Sequence, residues 1–69
     1  MSNDKVSIIM PAHNVADFIS HSIESVKYQT FINWELIIVD DCSTDDTVNV
    51  IKSFLKDKRI SLIENKFNL

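Results

Sequence analysis

Three short apolar runs alternate with two amphipathic stretches along this chain. The runs are "KVSIIM" (Lys5 to Met10), "ELIIVD" (Glu35 to Asp40) and "RISLIE" (Arg59 to Glu64). Their β-branched residues suit a pleated, packed surface. The first two lack polar alternation, which predicts strands covered on both faces; the third alternates more clearly. Pro11 has no N–H for a ladder and is expected to end the first strand. Between the runs, Val15, Phe18, Ile19, Ser22, Ile23 and Val26 recur at helical spacing, and Val48, Ile51, Phe54 and Leu55 repeat the pattern. Each set predicts a helix with one apolar face. Asn14 is expected to cap the first helix, with Asp17 in its first turn. Ser43 or Thr44 is expected to cap the second, with Asp45 and Asp46 in its first turn. Lys56 and Lys58 fall near the end of that helix, where cations suit its dipole. The connection "QTFINW" leaves Phe31 and Trp34 to pack over the sheet edge.

The order β-α-β-α-β predicts an α/β fold with a parallel three-stranded sheet. Parallel crossovers are right-handed. Two crossovers of the same sense give strand order 3-2-1 and put both helices on one face, leaving the other face bare. With 69 residues the chain is at most one small domain. Residues 1–69 are therefore expected to be the first, incomplete part of a larger doubly wound domain. The open face would be covered by further chain or by another copy. Self-association is expected through Ile8, Met10, Ile37 or Val39, whichever set faces away from the helices. Such a fragment exposes more apolar surface than the few hundred Å² a soluble monomer tolerates.

Composition narrows the partners. Net charge is −3, which disfavours nucleic acid. No apolar run reaches the length of a membrane span, and "MSNDKVS" lacks the basic and apolar regions of a signal peptide. Cys42 is the single cysteine, which fits a reducing compartment. A cytoplasmic location is expected, with membrane association of a full-length protein left open. Glycine is absent. Walker and Rossmann phosphate loops need glycine for close backbone approach, so neither can be built here.

Ligands of such sheets bind beyond the carboxyl ends of the strands. "PAHN" (Pro11 to Asn14) follows the first strand and "DDCSTDD" (Asp40 to Asp46) the second. Adjacent parallel strands bring these loops side by side. Asp40 reads equally as a hydrogen-bonded carboxylate at a strand end and as a ligand contact. Asp45 and Asp46 read as helix-start acids before they read as metal ligands. His21 reads as a solvated helix residue. Phe18, Phe31, Trp34 and Phe54 read as core or interface packing. A triad of Ser20 or Ser43 with His13 and Asp41 lacks a nucleophile elbow. The carboxylates flanking Cys42 would suppress its thiolate.

"VSIIMPAHN", "SIESVKYQT", "WELIIVDDCSTDDT" and "ENKFNL" together resemble the family 2 glycosyltransferases of the GT-A fold, over essentially the whole chain. The resemblance implies an enzyme that moves a sugar from a nucleotide-sugar donor, UDP-linked, to an acceptor such as a growing polysaccharide. This segment would be its N-terminal nucleotide-binding part. Pro11 and Ala12 would border the base and ribose. His13 stands where the family usually has a tyrosine against the base, and a flat imidazole can fill that place. Asn14 and Asp40 would join the nucleotide site. Asp41 would accept a hydrogen bond from uracil N3–H, since a carboxylate is an acceptor only. Cys42 stands where glycine is common, so the turn is expected to need no positive φ. The family's Asp-x-Asp motif, which holds a divalent metal (Mn or Mg), and its catalytic base would lie downstream of Leu69. The 69-residue chain alone is expected to bind UDP weakly or not at all and to transfer no sugar.

Two other classes remain in view. "IIVDD" also resembles the acidic pocket of receiver domains, but a receiver carries its acidic pair after the first strand. A non-catalytic interaction module could use the open sheet face, or Phe67 and Leu69.

Overall fold

The computed structural model describes residues 5–29 and 33–66. The expectations for Phe31, Phe67 and Leu69 lie outside these residues. The elements run β1 (Val6–Ala12), α1 (Ile19–Gln29), β2 (Trp34–Asp41), α2 (Thr47–Lys52) and β3 (Ile60–Asn65). β2 lies between β1 and β3, and both pairings are parallel. This is the expected β-α-β-α-β sheet with order 3-2-1.

Side chains alternate across a sheet, and in β2 the alternation is strict. Trp34, Leu36, Ile38 and Asp40 are buried, while Glu35, Ile37, Val39 and Asp41 are only half-buried. The buried set packs with Ile19 and Ile23 of α1, Ile51 of α2, and Ala12 and Ile60. Both helices thus cover one face, as expected. Register puts Ile8 and Met10 opposite Leu36 and Ile38, and both pack against the core. They are not part of the open face. That face carries Ile9, opposite Ile37, and Ile63, opposite Val39. Ile9 is 59% exposed and Ile63 is 51% exposed.

Several boundaries differ from the sequence reading. β1 continues through Pro11 to Ala12. It is an edge strand, where a sheet tolerates a residue without an N–H. Helix α1 begins at Ile19 rather than after Asn14. Asn14 is not its cap and Asp17 is not in its first turn. A tight turn precedes it, in which the Phe18 and Ile19 N–H groups both donate to the Val15 carbonyl, at 2.9 and 2.8 Å. That turn swings Phe18 outward, to 68% exposure, so Phe18 is not a core residue. Helix α2 begins at Thr47, with Asp46 at the N-cap, so neither Ser43 nor Thr44 caps it and Asp45 and Asp46 precede its first turn. It ends at Lys52, and Lys56 and Lys58 lie in the turns beyond. The reason is the same at both helix starts: side chains that could have capped a helix bond to the neighbouring loop instead.

Trp34 and Phe54 pack as expected. Trp34 is buried beneath the Arg59 guanidinium, which lies 4.0 Å from the ring centroid. Phe54 is partly buried against the core. His21 is exposed. No helix among the described residues is long and apolar enough to cross a membrane.

Candidate functional site

Parallel register sets Ala12 beside Asp40, so β1 and β2 end together. Their following loops, residues 11–16 and 40–47, meet there. Three successive N–H groups of the first loop donate to side chains of the second. Asn14 N–H donates to Ser43 Oγ (2.9 Å), Val15 N–H to Thr47 Oγ1 (2.8 Å) and Ala16 N–H to Asp45 Oδ2 (3.3 Å). In return, Asn14 Oδ1 accepts from the N–H groups of Thr44 (2.8 Å) and Asp45 (3.3 Å).

Asn14 reaches that position with φ 49°, in the left-handed region that asparagine tolerates better than most residues. Cys42 also sits there, at φ 56°, so the turn after Asp41 does need a positive φ. The sequence expectation was the reverse. The chain has a cysteine where glycine would be unstrained, at a cost of roughly 1–2 kcal/mol. The surrounding bonds hold the turn: Ser43 N–H and Ser43 Oγ both donate to the Asp40 carboxylate, at 3.0 and 2.5 Å.

The acidic pair therefore splits. Asp40 is 2% exposed on the helix-covered face, and both its oxygens are taken by Ser43. Asp41 points the other way, in register with Asn65. It is half-buried, and no hydrogen bond to its carboxylate is found among the described residues. Its backbone carbonyl receives His13 Nδ1 at 2.6 Å. A carbonyl only accepts, so Nδ1 carries the proton. Asn14 Nδ2 lies 3.5 Å from the other ring nitrogen, Nε2, which accepts in the neutral imidazole. Pro11 is exposed opposite Val39, and Ala12 is buried opposite Asp40. Pro11, His13 and the Asp41 carboxylate thus present surface to solvent, whereas Ala12 and Asp40 lie beneath it and the Asn14 side-chain oxygen Oδ1 is engaged between the loops.

Asp45 is held by Thr47. The Thr47 hydroxyl donates to Asp45 Oδ1 at 2.5 Å, and the Thr47 N–H does so at 3.0 Å. The hydroxyl bond is the main reason that the Asp45 carboxyl titrates below its ordinary value; desolvation opposes it, and the N–H groups of Thr47, Ala16 and Asp45 itself assist. Asp46 accepts from Asn49 Nδ2 at 2.8 Å and makes no side-chain cap bond. Sequence reasoning missed Thr47, which is fully buried. The available signal was its place four residues before Ile51, on the apolar face of α2.

Among the described residues, no three His, Cys, Asp or Glu side chains converge as ligands for a metal ion. Asp40 and Asp45 are already committed to Ser43 and Thr47. The described residues do not build the divalent-metal site that the family resemblance implies for a full-length enzyme.

Comparison with known proteins gives this geometry its context. The chain is 45% identical over 69 residues to "Putative glycosyltransferase EpsE" of Bacillus subtilis, covering 97% of this chain and 25% of that protein. It is 46% identical over 67 residues to "UDP-Glc:alpha-D-GlcNAc-diphosphoundecaprenol beta-1,3-glucosyltransferase WfgD" of Escherichia coli, covering 97% of this chain and 26% of that one. It is 44% identical over 59 residues to "Putative teichuronic acid biosynthesis glycosyltransferase TuaG" of B. subtilis, covering 84% and 23%. The chain spans about a quarter of the length of these curated relatives. The model of the family described as "Glycosyl transferase family 2" matches residues 7–69. With nearly every residue matched and the parallel β-α-β-α-β sheet in place, the chain belongs to glycosyl transferase family 2.

Proposed function

We propose that this chain supplies the nucleoside-binding wall of a glycosyltransferase that uses a UDP-linked sugar. One observation carries the reading most directly. At the end of β2 one carboxylate, Asp40, is tied down, while its neighbour Asp41 is half-exposed with no partner found among the described residues. A half-buried acceptor at the carboxyl end of a parallel sheet suits a donor on a ligand's edge. Uracil N3–H is such a donor. Pro11 and the exposed His13 would flank the base. Asp40 and Asn14 serve the site from beneath, by holding the loop that carries Asp41, and Ala12 forms its buried floor.

The relatives support the donor class. One of them, WfgD, is named for transfer from UDP-Glc. Sugar transfer then needs a divalent metal and an acceptor site supplied outside this segment. The segment alone binds UDP weakly at most and transfers nothing. A receiver-like phosphoacceptor role finds no support, because the acidic pair follows the second strand.

The test is calorimetry on the full-length protein with two nucleotides that differ in one donor. Uridine has N3–H; cytidine has an acceptor at N3. UDP should bind more tightly than cytidine diphosphate, and Asp41→Asn, which adds a donor at that place, should narrow the difference. Equal affinities in the parent protein would sink the reading.

A further inference from the structure

The hydrogen bonds at the sheet's carboxyl end converge on Thr47, a residue that does not reach the surface. Its hydroxyl is used in both directions. It accepts from Val15 N–H in the first loop and donates to Asp45 in the second. Asp45 in turn accepts from Ala16 N–H, again in the first loop. The Asn14 and Ser43 bonds close the same ring from the other side. Removing this buried hydroxyl leaves the half-buried Val15 N–H without its partner and cuts the side-chain link from Val15 to Asp45, although the exposed Asp45 carboxylate keeps the N–H groups of Thr47 and Ala16.

We propose that Thr47 is a positioning residue for the nucleoside site. Through Val15 and Asp45 it couples the two loops, and so sets where His13 and Asp41 stand relative to each other. The consequence for binding rests on the nucleoside reading given above; the coupling itself does not. The geometry distinguishes this role from simple core filling. A threonine that only filled space at the start of α2 would be replaced without loss by valine, which has the same shape. The His13–Asp41 contact is the element with most to lose. It is a single bond of 2.6 Å from His13, just past the end of β1, to the carbonyl of Asp41, the last residue of β2, and each partner is followed by a left-handed residue.

Two substitutions in the full-length protein separate these roles. Thr47→Val keeps the shape and removes both bonds of the hydroxyl; Thr47→Ser keeps the bonds and removes a methyl group. Hydrogen exchange followed by mass spectrometry reads the loops without any ligand. In Thr47→Val, peptides covering residues 13–17 and 42–46 should both exchange at least about tenfold faster, with β2 unchanged. Thr47→Ser should restore both segments to within about twofold of the parent. Acceleration confined to Val15, or equal acceleration in the two variants, would overturn the coupling. If Thr47→Val does not fold, Ser43→Ala opens the ring from its other side and should accelerate the same two segments; acceleration of residues 42–46 alone would overturn the proposal.

The second readout is UDP affinity at a temperature where the variants are folded. Thr47→Val should weaken it at least about tenfold, with recovery in Thr47→Ser. Faster exchange with unchanged affinity would refute the positioning role. A parent protein that binds no UDP would refute the nucleoside reading instead, and the exchange data would then decide the coupling of the loops alone.

Discussion

The two ends of the sheet are built from different materials. At the amino end, the chain is closed by charges that satisfy one another. Asp57 accepts from Arg59 Nε at 3.0 Å and from a terminal guanidinium nitrogen at 2.7 Å, and Lys27 stands 3.9 Å away. The guanidinium then lies on Trp34. At the carboxyl end, closure is by short polar side chains gripping backbone N–H groups, and it leaves the Asp41 carboxylate over. The comparison teaches where a ligand is to be sought. The amino end closes mainly on charges that pair with one another; the carboxyl end turns five hydroxyl, amide and carboxylate groups, those of Asn14, Asp40, Ser43, Asp45 and Thr47, on backbone N–H groups and leaves the Asp41 carboxylate beside them with no partner among the described residues.

The comparison can be broken at several depths. A truncation shared by both ends should not distinguish them. Ile38 is fully buried midway along β2, and Ile38→Ala should cost about 2–5 kcal/mol of stability. Denaturation followed at Trp34 and at a carboxyl-end probe should shift together; separate transitions would mean that the ends fold independently. Next in size is Asp41→Ala. It should weaken nucleotide binding in the full-length protein by about 1–3 kcal/mol, the range for stranding a hydrogen-bond partner, and leave thermal stability nearly unchanged. A loss of stability without loss of affinity would make the two ends alike.

The amino end should answer to acid instead. The Arg59 side-chain bonds lower the Asp57 carboxyl from 3.8 to about 2, with its N–H, its charge and Lys27 adding to the effect. The folded value lies below the unfolded one. The stabilisation is therefore complete above about 4 and is lost as pH falls through about 2. Solvent screening limits its worth, so Asp57→Asn should cost about 1 kcal/mol at neutral pH. The difference from the parent should vanish in strong acid, as read by denaturant midpoints across that range. The smallest effect belongs to Asp46→Ala, about 0.3–1 kcal/mol of stability with nucleotide affinity unchanged. If calorimetry found it equal to Asp41→Ala in affinity, the division of labour within the acidic cluster would be wrong.

Much of this was legible in the chain, and the rest was hidden for identifiable reasons. Apolar runs fixed the strands, because β-branched residues between turns have few other solutions. The pairing of the loops followed from topology alone. The helix starts are misread because Asn14, Ser43 and Thr44 are good caps by local rules, and nothing local shows that the neighbouring loop will take their bonds. The left-handed Cys42 was hidden similarly. A strained φ is set by the bonds around it, from Ser43 to Asp40, and not by the residue itself. Thr47 was overlooked because a threonine at a helix start reads as polar surface.

The uncovered sheet face has a further consequence, in the currency of mass action. Ile9 and Ile63 stand exposed there with Ile37 and Val39 half-buried between them. Whatever binds that face binds only the folded chain, so its concentration adds directly to the folding equilibrium. If the occupant is a second copy, the melting temperature of this chain is not a constant of the molecule. It should climb as the protein is concentrated, and Ile9→Ser or Ile63→Ser should flatten the climb. A melting temperature independent of concentration would rule out a second copy of the chain as the occupant of that face.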